Sequence, residues 1–85
     1  MATAVSNRDR LRELLLDVFL LEDDEFDFAL TKAQVETWDS LGVVSMAVGV
    51  EETFGYHMAP EEATGIESFA DIVALLETKG ISFDD

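Results

Sequence analysis

The sequence predicts an all-α fold, a small four-helix bundle with three longer helices, one short helix and a long loop between helices I and II. Three observations carry this prediction. Apolar residues recur with helical spacing in separate stretches of the chain. There is a single proline, and no run alternates as a half-buried strand would. The 85 residues, 48% of them hydrophobic, suit one small packed domain, 1–85, with no internal repeat.

The first helix is predicted from about Asn7 to Leu20. Ser6 is placed as its N-cap with Asp9 three residues on, a capping-box-like start. Leu11, Leu14, Leu15, Val18 and Phe19 then fall on one face. Arg8, Arg10 and Arg12 sit in the first turns, the end where the helix dipole disfavours cations.

Residues 21–38 form an acidic connection opening with Glu22-Asp23-Asp24-Glu25, longer than most helix–helix loops. Phe26, Phe28, Leu30 and Val35 are the expected anchors to the core. A calcium loop counted from Asp23 would place Phe28 and Gln34 where glycine and glutamate are required, so an EF-hand is rejected. No metal site is expected.

The chain is organised around Trp38-Asp39-Ser40-Leu41-Gly42 and the run that follows to Phe54. This reads as a helix from about Ser40 to Phe54, with Asp39 or Ser40 at its N-terminus and Gly55 just past its end. The Ser40 hydroxyl would then lie where backbone N–H groups point outward and the dipole is positive, which favours a phosphate on or near the serine. An ordinary capping serine is the simpler alternative. The helix carries two apolar stripes. Val43, Met46, Ala47, Val50 and Phe54 are expected to face the core. Leu41, Val44 and Val48, flanked by Ser45, Glu51 and Glu52, lie nearly opposite and are expected to form a partner surface. Gly42, Gly49 and Thr53 fall on a third flank, suited to close approach by the loop or the third helix, or else simply softening the helix.

Beyond Gly55, His57 is the single histidine, with no catalytic or ligand partner at useful spacing, and reads as a surface loop residue. Pro60 to Gly65 reads as a one-turn helix with proline at its first position. Ser68 begins a last helix whose core face is Phe69, Ile72, Val73 and Leu76 and which Lys79-Gly80 closes. Ile81 and Phe83 are expected to pack back.

The formal net charge of −14 excludes nucleic acid and anionic membrane surfaces as partners and favours basic patches on proteins. It also keeps a small chain soluble, and a monomer is expected. There is no cysteine, so any thiol chemistry requires a cofactor. No apolar run is long enough to span a bilayer, and residues 1–5 lack the pattern of a secretory signal, which makes a cytoplasmic location the default. No catalytic constellation is visible: no Ser-His-Asp set, no HExxH and no glycine-rich phosphate loop. The chain is expected not to be an enzyme.

Asp39-Ser40-Leu41, followed by Val44, Val48, Glu51-Glu52 and Phe54, resembles the acyl carrier protein family. The resemblance continues through Met58, Glu61-Glu62-Ala63, Ile66, Ser68 and Ile72, and covers roughly residues 7 to 80. It implies a fold of acyl-carrier-protein type, with Ser40 opening helix II and bearing a covalent 4′-phosphopantetheine arm from coenzyme A. A phosphopantetheinyl transferase would attach the arm, whose thiol would hold acyl intermediates as thioesters. Asp39, Leu41, Val44, Val48, Glu51 and Glu52 would meet acyl-loading and acyl-processing enzymes through their basic docking patches. Trp38, Gly42 and Ser45 depart from the commonest fatty-acid carrier pattern, which leans the expectation toward polyketide or other secondary metabolism over fatty acid biosynthesis. An aminoacyl carrier is disfavoured because a Gly-Gly-x-Ser approach is absent. The reading from another class is an unmodified acidic helical protein-interaction module that uses the helix II face, with Ser40 as a cap only.

Overall fold

The computed structural model describes residues 6–83. The stretch 1–5 read above for a secretory signal, and the acidic end 84–85, lie outside the described residues. Along the chain come α1 (Asn7–Phe19), α2 (Ser40–Phe54), the short α3 (Pro60–Thr64) and α4 (Phe69–Thr78). Two 3-10 turns, Asp23–Glu25 and Lys32–Gln34, lie inside the connection between α1 and α2. Among the described residues there is no strand. The all-α expectation holds.

The helix starts follow the capping chemistry of the sequence. The Ser6 hydroxyl accepts the Asp9 N–H at 3.0 Å, and the Ser68 hydroxyl accepts that of Asp71 at 3.2 Å. Pro60 opens α3 at a position where its missing N–H costs nothing. α1 ends one residue before the expected boundary. Leu20 turns into the left-handed region at φ 57°, ψ 45°, and the N–H groups of Leu20 and Leu21 both reach back to the Leu16 carbonyl. A leucine held there is strained by about 1 kcal/mol.

The core lies where α1, α2 and α4 meet. Leu11, Leu15 and Phe19 of α1, Met46 and Val50 of α2, Phe69, Ile72 and Leu76 of α4, and Phe83 are fully buried or nearly so. The terminal segment therefore packs back as expected, with the Phe83 ring 5.9 Å from that of Phe54. Truncating one of the buried leucines costs about 2–5 kcal/mol in comparable cores, a large part of what a chain of this size has in reserve.

The long acidic connection is held by aromatic rings. Trp38, buried, packs between Phe19 and Phe69, with ring centroids 5.2 and 5.1 Å away. Phe26 stacks on Phe69 at 5.5 Å and meets Phe28 edge-on at 4.9 Å. Val35 is buried and Leu30 half-buried, so all the expected anchors reach the core. The backbone adds an antiparallel bridge between Thr31 and Ser68, with Lys32 N–H to the Glu67 carbonyl at 2.7 Å and Phe69 N–H to that of Leu30 at 3.1 Å.

This packing also explains two of the arginines at the start of α1. Arg12 pairs with Asp23 at 3.0 Å and its guanidinium lies 5.8 Å from the Phe26 ring centre. Arg8 donates to the Phe83 carbonyl at 3.2 Å and lies 5.6 Å from the Phe28 ring centre. They join α1 to the loop and to the C-terminal segment, contacts that offset a poor position on the helix dipole.

Candidate functional site

The site is the N-terminal end of α2 and the faces that lead away from it. The sequence left Asp39 and Ser40 as alternative caps, and the geometry separates them. Asp39 is the N-cap: its backbone is extended, and its Oδ1 accepts the Gly42 N–H at 2.9 Å. Ser40 is the first helical residue and is exposed. The capping role therefore falls to Asp39, and the Ser40 hydroxyl is presented at the positive end of a helix fifteen residues long. The approach to it is fixed from below. Trp38 is locked between two rings, and the Thr37 hydroxyl donates to the Phe19 carbonyl at 2.6 Å.

The two stripes of α2 separate much as their spacing predicts. Met46 and Val50 are fully buried. Leu41, Val44 and Val48 are exposed at 75%, 59% and 50%, so neither α1 nor the loop covers them. Asp39, Glu51 and Glu52 are exposed beside them. Val43, Ala47 and Phe54 take an intermediate position, half-buried against the core.

The third flank is a packing seam. A Cβ on Gly42 would lie 2.7 Å from the Thr37 carbonyl oxygen and 2.9 Å from Phe19 Cε1; one on Gly49 would lie 2.1 Å from Leu14 Cδ1. The visitors are the loop, as expected, and α1. The alternative expectation, the third helix, is corrected here, because Leu14 and Phe19 of α1 fill the space. At Gly42 no larger residue fits between α2 and the loop without a shift of backbone.

A trough runs along the other side of α2, toward α3. Beside Ser40 a depression of about 430 Å³ is lined by Lys32, Trp38, Val43, Val44 and Thr64. It continues past the shared Val43, Val44 and Thr64 into an apolar groove of about 250 Å³ between α2 and α3, walled by Ala47, Val48, Met58 and Ala63. At its far end the exposed His57 places Nδ1 3.0 Å from Glu51 Oε1. His57 is a surface loop residue as read, with a partner that the sequence could not show. Thr64 and Lys32 also join the site without a sequence signal, since only the fold brings α3 and the 3-10 turn at Lys32 alongside Ser40.

One cluster fixes the α2–α3 connector and so the outer wall of this trough. The Tyr56 hydroxyl donates to Glu62 Oε1 at 2.5 Å, the Ala59 N–H donates to the same oxygen at 2.9 Å, and Lys79 Nζ lies 3.8 Å from Glu62 Oε2. The Tyr56 hydrogen bond, then the Ala59 amide, lower the Glu62 carboxyl from its ordinary value. The same hydrogen bond, followed by burial, raises the Tyr56 hydroxyl above its ordinary value.

Among the described residues no three His, Cys, Asp or Glu side chains converge as metal ligands would. Among them, too, no helix is long and apolar enough to cross a membrane. No family model matches the chain. It is similar to an acyl carrier protein of Coprothermobacter proteolyticus, 28% identical over 68 residues, a stretch that covers 80% of this chain and 83% of that protein.

Proposed function

We propose that this protein is a carrier, and not a catalyst, which holds acyl groups as thioesters on a 4′-phosphopantetheine arm attached to Ser40. The observation that carries the reading is the division of labour at the start of α2. Asp39 caps the helix, and Ser40, one residue on, is exposed on a rigid helix end with no capping role. The positive end of the helix favours the phosphodiester that attachment would create. The similarity to an acyl carrier protein over most of the chain supports the same reading.

In the attachment step the Ser40 hydroxyl oxygen attacks the phosphorus nearest the pantetheine in the coenzyme A pyrophosphate, and the bond from that phosphorus to the bridging oxygen breaks. The hydroxyl proton passes to a base of the transferase, and the nucleotide leaves with the other phosphates. The chain contributes position and recognition. Leu41, Val44 and Val48 offer apolar contact, and Asp39, Glu51 and Glu52 offer charge to the basic patches of the transferase and of acyl-loading and acyl-processing enzymes. The apolar trough that starts at Ser40 is suited to shelter an acyl chain on the arm. Trp38, Gly42 and Ser45 lean the reading toward polyketide or other secondary metabolism over fatty-acid biosynthesis.

The test is intact mass after incubation with coenzyme A and a phosphopantetheinyl transferase. The wild-type protein is expected to gain one phosphopantetheinyl group and Ser40→Ala none. Modification of Ser40→Ala at another serine would overturn the assignment. A wild-type chain that stays unmodified would leave the exposed α2 face as that of a plain interaction module.

A further inference from the structure

Leu20 is the most exposed large apolar side chain among the described residues, at 78%, and it is also the one non-glycine residue among them with a left-handed backbone. Both states are unfavourable for a leucine. Its Cβ crowds the carbonyl in a left-handed backbone, and its apolar surface lies in water. Glycine or asparagine would end α1 without either cost. Strain of this kind persists only where the surrounding structure over-determines it, and it clusters at active sites, ligand clamps and switch regions.

Leu20 lines a depression of about 210 Å³ between α1 and α2, together with Val18, Thr37, Asp39, Leu41 and Ser45. It opens on the α1 side of α2 and shares only Asp39 with the trough toward α3. We propose that Leu20 is a docking residue for the enzyme that modifies Ser40, which seats an apolar side chain in the depression between Leu20 and Leu41. This rests on the carrier reading above.

Two observations favour that occupant. Asp39 and Leu41 flank Ser40 in the chain, so a protein that reaches the Ser40 hydroxyl covers the depression as well. The surroundings are acidic: Asp39 lies in the depression, and Asp17 and Glu52 lie in the adjoining hollow that shares Val18 and Ser45 with it. The partner surface is therefore an apolar side chain ringed by lysine or arginine. A second copy of this chain, itself at −14, would bring like charge against like.

The test compares wild type with Leu20→Gly and Leu20→Asn, both compatible with the left-handed backbone, and with Leu20→Met, which keeps an apolar side chain. Transfer from coenzyme A by a phosphopantetheinyl transferase is followed alongside the melting temperature. The glycine and asparagine variants are expected to melt at or above the wild-type temperature. Their kcat/KM is expected to fall about tenfold, chiefly through KM, the loss expected for an interface anchor, while Leu20→Met stays near wild type. A kcat/KM within about twofold of wild type for both Leu20→Gly and Leu20→Asn would overturn the docking role, taking twofold as well short of the tenfold loss of an anchor. A wild-type dimer that Leu20→Gly dissolves would assign the patch to a second copy and overturn it too. If the wild-type protein accepts no group at all, the carrier reading fails and this proposal goes with it. Normal wild-type transfer with unaffected variants removes the docking role alone.

Discussion

Asp39 and Ser40 are neighbours with separable tasks, and substitution should separate them. Asp39→Ala removes the acceptor of the Gly42 N–H and is expected to lower stability by about 1 kcal/mol. Ser40→Ala is expected to leave the melting temperature nearly unchanged, because the cap stays in place. Denaturant melts of both variants check this, and a Ser40→Ala loss as large as that of Asp39→Ala would show the serine to be the cap. The two helical glycines make a second contrast. At Gly42 a methyl group meets the Thr37 carbonyl, which is backbone and fixed by the Thr37–Phe19 hydrogen bond. Gly42→Ala is therefore expected to cost about 1–3 kcal/mol, outweighing its better helix propensity. At Gly49 the obstacle is the tip of the half-buried Leu14, which can swing aside, so Gly49→Ala is expected to be close to neutral. Equal losses at the two sites would contradict this. The close approach was legible in the sequence as a glycine flank, and the loop as one candidate visitor, but α1 was not. A stripe of small residues says that something comes near, and only the path of the loop and the pitch of α1 decide what.

α2 presents different surfaces to its surroundings, and its periodicity revealed them because a helix in so small a bundle can bury only one side. Leu41, Val44 and Val48 were legible as the exposed stripe for that reason. The trough beside them was not, since its second wall belongs to α3 and to residues far away in the chain. The connector that sets this wall is tied by Tyr56, Glu62 and Lys79, and that tie gives a pH dependence of known sign. Glu62 is held below its ordinary value of 4.5. The unfolded chain then binds more protons in that range, so the contribution is present above the ordinary value and is lost as pH falls through the lowered one. Tyr56 is raised above its ordinary value of 10.0, so its contribution is full below that value and is lost as pH rises through the raised one. Tyr56→Phe is expected to lower the melting temperature modestly at neutral pH, and the difference from wild type is expected to shrink as pH falls below about 4.5. A difference that stays constant across that range would show that the hydroxyl contributes only packing.

At the scale of the molecule, nineteen acidic residues face five basic ones, and self-repulsion opposes the compact state. Added sodium chloride at neutral pH is expected to raise the melting temperature by screening it; a midpoint that falls or stays flat with salt would show that local ion pairs such as Arg12–Asp23 dominate. Most of the architecture was legible because core periodicity, caps and breakers agree in α2, α3 and α4 and at the start of α1. The early end of α1 was not, because nothing in the local sequence marks Leu20 for a left-handed turn that leucine disfavours. The partners of Arg8 and Arg12 were hidden for a related reason: the dipole rule speaks only of a helix alone, and these arginines answer to the loop and the C-terminal segment. The carrier reading joins all three scales in one measurable consequence. The chain contains no cysteine, so a thiol can appear on it only with an arm. Titration of free thiol on the purified protein, before and after incubation with coenzyme A and a phosphopantetheinyl transferase, is expected to rise from none to one per chain in wild type and to stay at none in Ser40→Ala. A wild-type chain that gains no thiol, or a Ser40→Ala chain that gains one, would contradict the assignment of Ser40 as the attachment site.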